Sequence, residues 1–100
     1  MRKSEYLLEI VSKEAGEVTQ AVSKLLRFGK ENKCNTLSSN NEDKLLIEVY
    51  QLQGMVEHLQ EIGILRKPSE DEIKSIKETK INNVYKYMNE SIESGIINDY

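Results

Sequence analysis

Residues 4–28, SEYLLEIVSKEAGEVTQAVSKLLRF, decide how the chain is read. Leu7, Ile10 with Val11, Val18, Ala21 with Val22, and Leu25 recur at three- and four-residue spacing, which is one face of a helix. Ser4 is placed to cap its start, and Gly29 stands where a C′ glycine ends a helix. About 25 residues at 1.5 Å each span roughly 37 Å, a long helix for so short a chain.

Outward from this segment the same grammar repeats. Residues 30–41, KENKCNTLSSNN, form a polar loop, and Ser39 with Glu42, or Asn40 with Asp43, supplies the next helix start. A second helix then carries Leu45, Val49, Leu52, Val56 and Leu59 on one face, with Leu46, Met55 and Ile62 beside it, and ends at Gly63. After the connector Ile64–Pro68, Ser69 and Glu72 form a capping box for a third helix. Glu70 and Asp71 suit its positive end. Ile73, Ile76, Ile81, Val84, Tyr85, Met88 and Ile92 line this helix up to Gly95, and Ile96–Tyr100 form a tail. Pro68 is the only proline, and no β-branched run alternates over a strand length. The expectation is an all-α protein of long antiparallel helices, with residues 1–100 forming one domain without internal repeats.

Composition narrows the function classes. Apolar residues make up 38% and charged residues 31% of the 100, and the net charge is −3. A core this thin cannot readily cover three apolar stripes, which predicts a homo-oligomer, a dimer or a tetramer. No run approaches the roughly 18 apolar residues of a membrane span. Glu9 and Glu14 interrupt any signal-peptide core, so a soluble, cytoplasmic protein is expected. The acidic balance argues against nucleic acid as a partner, since there is no cationic excess to displace counterions. A single cysteine, Cys34, excludes an internal disulfide and a cysteine-based zinc cage.

The acidic residues carry the chemistry. Glu14 is three after Val11 and four before Val18, so it lies on the apolar stripe, and Glu17 flanks the same stripe. In the second helix Glu48 falls between Leu45 and Leu52 and also points inward, with Gln51 one turn along. Ionised carboxylates inside a bundle must be paired, protonated or metal-bound. Three from two helices suit a hard divalent cation, Mg²⁺ or Mn²⁺. The plainer alternative pairs one of them with Lys13 or Lys24 and leaves the others at a groove edge.

Three stretches together suggest a family: Glu14-Ala15-Gly16-Glu17-Val18, Lys24-Leu25-Leu26-Arg27-Phe28-Gly29, and Asn41-Glu42-Asp43-Lys44-Leu45-Leu46-Ile47-Glu48. Over roughly residues 5–65 the chain resembles the MazG-like nucleotide pyrophosphohydrolases, and most of all their short, phage-type members. The resemblance implies an all-α bundle completed by homo-oligomerisation. It also implies Mg²⁺-dependent hydrolysis of a nucleoside triphosphate to monophosphate and pyrophosphate. The family pattern is a Glu-x-x-Glu pair followed by a Glu-x-x-Asp pair. Glu14, Glu17 and Glu48 fall on the first three acidic positions as metal ligands, with Glu17 and Glu48 also in the catalytic role. Gln51 stands at the last position, where its amide offers an oxygen but neither a charge nor a base.

Four residues are candidates for nucleotide contact. Lys24 and Arg27 would hold phosphates, Tyr50 would stack on a base, and Gln51 would be a weak ligand. Each has a structural alternative, namely favourable charge at a helix C-terminus for the first two and packing for Tyr50. His58 lacks a second histidine or cysteine to form a metal set, and Gly16 and Gly54 leave room in mid-helix for a close approach. The lead expectation is thus a nucleotide pyrophosphohydrolase. A catalytically degenerate member that sequesters a nucleotide or nucleotide-derived immune signal comes second, and a helical interaction protein without a ligand third.

Overall fold

A computed structural model describes residues 1–31 and 40–100. Among these residues the chain is all helical, in the order α1 (Lys3–Phe28), α2 (Asn41–Glu61) and α3 (Glu70–Glu93). It divides into two compact units, Met1–Arg66 and Lys67–Tyr100. Cys34 and Ser39 of the polar loop lie outside the described residues.

In the first unit α1 and α2 pack against each other. The start of α1 departs from the sequence expectation. Arg2, not Ser4, is the N-cap, and no side chain caps the helix there. Arg2 instead donates from Nε to Glu5 Oε1 at 2.8 Å, an exposed charge pair across the first turn. The other end is as expected. Gly29 has φ +86°, a conformation that favours glycine, and its N–H donates to Leu25 O at 2.8 Å.

The start of α2 is tied to the end of α1 by hydrogen bonds. The buried Asn41 side chain donates to Gly29 O at 3.0 Å, and the Glu42 N–H donates to Lys30 O at 3.2 Å. Of the two starts open in the sequence, Asn40 is the observed cap and accepts from the Asp43 N–H at 2.8 Å. These contacts fix where α2 lies along α1, and so which carboxylates can meet. Beyond α2, the Ile64 and Leu65 N–H groups both donate to Leu59 O.

The buried set of this unit is small and mixed. Ala21 and Leu59 are its buried apolar residues, and Asn41 and Glu48 are buried with them. Leu45, Leu52 and Val56 on the α2 stripe are half-buried, while Val22, Leu26, Leu46, Ile47 and Val49 remain exposed.

In the second unit α3 begins with the expected capping box. The Glu72 N–H donates to Ser69 Oγ at 3.1 Å, and the Ser69 N–H donates to Glu72 Oε1 at 3.3 Å. Its apolar stripe forms as a stripe but buries no residue. Ile76, Ile81, Val84 and Tyr85 are exposed, and Ile73, Met88 and Ile92 are half-buried.

Candidate metal centre

α1 contributes Glu14 and Glu17, which are three residues apart and therefore neighbours on one side of the helix. α2 contributes Glu48 from the face it packs toward α1. One carboxylate oxygen from each of the three lies within 4.8 Å of the other two. Glu48 is 3% exposed, and Glu14 and Glu17 are half-buried.

Two features of the cluster bear on what it can hold. Glu14 Oε2 and Glu48 Oε2 are buried and accept no hydrogen bond. An unpaired buried carboxylate oxygen is costly, because water has been removed and nothing replaces it. Hard oxygen donors from two helices, with two oxygens still lacking a partner, fit a divalent cation. The three oxygens, already within 4.8 Å of one another, would have to close further to share one cation.

The remaining oxygens meet lysines. Lys44 Nζ lies 2.6 Å from Glu48 Oε1, one turn earlier on the same helix. Lys13 Nζ lies 3.8 Å from Glu17 Oε1. The pairing with Lys13 raised by the sequence is therefore present, but it reaches Glu17 alone. Glu48 finds its cation in Lys44, a partner the sequence reading did not consider although the four-residue spacing signalled it.

The proton affinities of the two closest carboxylates separate. The Glu17 carboxyl is held above its ordinary value of 4.5, first because it shares a hydrogen bond with Glu48. Desolvation and the negative charges of Glu14 and Glu48 push the same way, and Lys13 opposes them. Glu48 lies below its ordinary value, chiefly through the hydrogen bond from Lys44, with burial opposing. Of the two, Glu17 is therefore the more readily protonated.

Beside the carboxylates lies a cavity of about 230 Å³, lined by Glu17, Gln20, Ala21, Lys24, Lys44 and Glu48. Lys24 thus shares the space with two of the acids. Arg27, one turn further along α1, lies over the Phe28 ring at 5.0 Å and is not among the lining residues. Tyr50 and Gln51 are exposed on α2. The structure therefore brings Glu14, Glu17, Glu48 and Lys24 together and leaves Arg27, Tyr50 and Gln51 at the surface. Gln20 and Lys44 are additions, each one helical turn from an acid of the cluster. His58 is exposed, and a Cβ placed on Gly16 or Gly54 would meet nothing within 4 Å.

Comparison of the chain with protein-family models, with curated proteins and with solved structures gives no match. No helix among the described residues is long and apolar enough to cross a membrane.

Proposed function

We propose that the protein is a MazG-like nucleotide-binding protein whose lead activity is Mg²⁺-dependent hydrolysis of a nucleoside triphosphate to monophosphate and pyrophosphate. The observation that carries this reading is the convergence of Glu14, Glu17 and Glu48, two of them with buried oxygens that lack a partner. These three residues would hold Mg²⁺ or Mn²⁺. A bound divalent cation neutralises phosphate charge and lowers the pKa of its bound water, the two contributions such hydrolysis requires.

The chain's own residues supply the rest. Glu17 lines the cavity together with Glu48 and, charged once the cation binds, would hold it beside the reacting phosphate. Lys24 extends into the same cavity and offers a point charge to phosphate oxygens. At about 230 Å³ the cavity is smaller than the roughly 300–1,000 Å³ of a typical small-molecule site, so it suits the phosphate chain and leaves the nucleoside outside. Arg27, Tyr50 and Gln51, exposed on the same two helices, are then candidates to meet the nucleoside end.

An antiparallel bundle closed by a second copy of the chain belongs to the same proposal. It is supported by the exposed Val22, Leu26, Leu46, Ile47 and Val49 on the helices that carry the acids. A second copy would cover these residues and wall the nucleoside side of the cavity.

The test is release of pyrophosphate across a panel of ribo- and deoxyribonucleoside triphosphates with Mg²⁺ and Mn²⁺. Turnover is expected for at least one of them, abolished by EDTA and by Glu17→Ala. No turnover over the full panel contradicts hydrolysis.

One observation favours a second reading. Gln51 removes a negative charge from the fourth acidic position and lies exposed, so a cation here has at most three carboxylates from this chain. A protein that binds and sequesters a nucleotide or a nucleotide-derived signal needs no more than that. Such a binder holds its ligand stoichiometrically and releases it unchanged on denaturation, whereas recovery of a cleaved product contradicts it.

A further inference from the structure

Lys44 occupies a position that the proposed function leaves unused. It lies on α2 one turn before Glu48, with its Nζ 2.6 Å from Glu48 Oε1, and its side chain is 46% exposed while that of Glu48 is 4% exposed. Two other four-residue Lys–Glu pairs among the described residues are looser and more open. Lys13 lies 3.8 Å from the half-buried Glu17, and Lys74 lies 4.0 Å from the exposed Glu78 in the second unit. All three pairs place Lys before Glu, the less favourable order on a helix, so helix stabilisation alone does not account for the tight one. Lys44 also lines the cavity that Lys24 enters from α1.

Charge counting connects these facts. Three carboxylates face Lys13 and Lys44, with Lys24 lining the adjoining cavity, so without a cation lysines alone offset the acids. A divalent cation on the same three carboxylates supplies two positive charges. With both lysines still in place the cluster is over-neutralised by one charge, and Glu48 no longer needs its ammonium partner.

We infer that Lys44 is an exchangeable counter-ion: it neutralises Glu48 until a divalent cation binds, and then pairs with the polyphosphate of the ligand, opposite Lys24. The inference rests on the metal-site reading above and adds to it a polyphosphate-contacting residue and a coupling between cation and ligand. Its consequence is that Lys44 opposes binding of the bare cation and favours binding of the cation–polyphosphate complex. A lysine with a purely structural role has no reason to act with opposite sign on the two.

The experiment uses the full chain and two probes, Mn²⁺ alone, followed by electron paramagnetic resonance, and Mn²⁺–tripolyphosphate, followed by calorimetry. Lys44→Met is expected to bind bare Mn²⁺ about threefold to tenfold more tightly than wild type and the tripolyphosphate complex about tenfold more weakly. Lys44→Gln, a second neutral variant that keeps a polar tip, should repeat the pattern, and Lys44→Arg should stay within about threefold of wild type on both probes. Circular dichroism confirms that each variant keeps its helices. If wild type binds Mn²⁺ but the neutral variants move both affinities the same way, or neither, the exchange is wrong while the metal site stands. If wild type shows no saturable Mn²⁺ binding, the metal site itself is wrong and the exchange falls with it.

Discussion

The α1–α2 unit buries Ala21 and Leu59 and, alongside them, Asn41 and Glu48. The α3 unit buries no helical residue and relies on local devices, a capping box at its start and Gly95 at φ +77° after its end. A chain short of apolar residues thus places a carboxylate in one of its few dry positions. Asn41 repays its burial with a hydrogen bond that sets how α2 meets α1. Glu48 pairs one oxygen with Lys44 and leaves the other without a hydrogen bond, so its burial is only partly compensated. The comparison teaches that the first unit spends one of its few buried positions on a charge, while the apolar face of α3 is left open.

The largest expected effect tests the difference in packing. Leu59→Ala should cost about 2–5 kcal/mol in urea unfolding, because a fully buried side chain leaves a cavity. Ile81→Ala on α3, where the side chain is 56% exposed, should cost less than about 0.5 kcal/mol at low protein concentration. Equal costs would erase the contrast and place Ile81 in an interface.

Next in size is the contrast within the buried set. Replacing Glu48 with Leu removes a desolvated charge and puts an apolar side chain of similar volume in its place. The cation-free protein should lose little stability, since the partner left behind is half-exposed and not a buried charge. The same variant should lose any rise in melting temperature on addition of Mg²⁺. A strongly destabilised Glu48→Leu would show that the carboxylate holds the helices together and is not primarily a ligand.

The smallest effect is spread over pH. Glu17 binds its proton more tightly in the folded chain, so its contribution to stability is complete below the ordinary value of 4.5 and is lost as pH rises through the raised value. Glu48 has the opposite sign: its contribution is present above 4.5 and is lost as pH falls through its lowered value. Together they favour greatest stability near the ordinary carboxylate range in the absence of a cation. Melting curves should show the decline above that range in wild type and a smaller one in Glu17→Gln. Saturating Mg²⁺ should suppress it in wild type by displacing the proton. Identical profiles for wild type and Glu17→Gln would contradict the assignment of the proton to Glu17.

Much of this arrangement was legible in the sequence because it follows from helical periodicity. The positions of Glu14, Glu17 and Glu48 on the apolar stripes were enough to predict that they converge. The Ser69–Glu72 box and the glycines that end the helices were equally readable, because each is a local hydrogen-bonding rule. The start of α1 was misread because Ser4 satisfies the composition rule for a cap, while the helix begins two residues earlier, with Arg2 at the N-cap. Lys44 was missed for a different reason. Spacing allows a contact with Glu48, but only the packing of α1 on α2 shows that this acid is dry and in need of a cation. Likewise, a stripe in sequence says which residues share a face and not whether anything covers it, and so Ile76, Ile81 and Val84 align along α3 without being buried.

The central claim is that Glu14, Glu17 and Glu48 form a divalent-cation site, and a Mn²⁺ titration of wild type beside Glu17→Ala and Glu48→Gln tests it most directly. The account predicts one saturable Mn²⁺ per chain in wild type, weakened at least about tenfold in either variant while helix content is kept. Mn²⁺ binding that is absent from wild type, or unchanged in both variants, would contradict it.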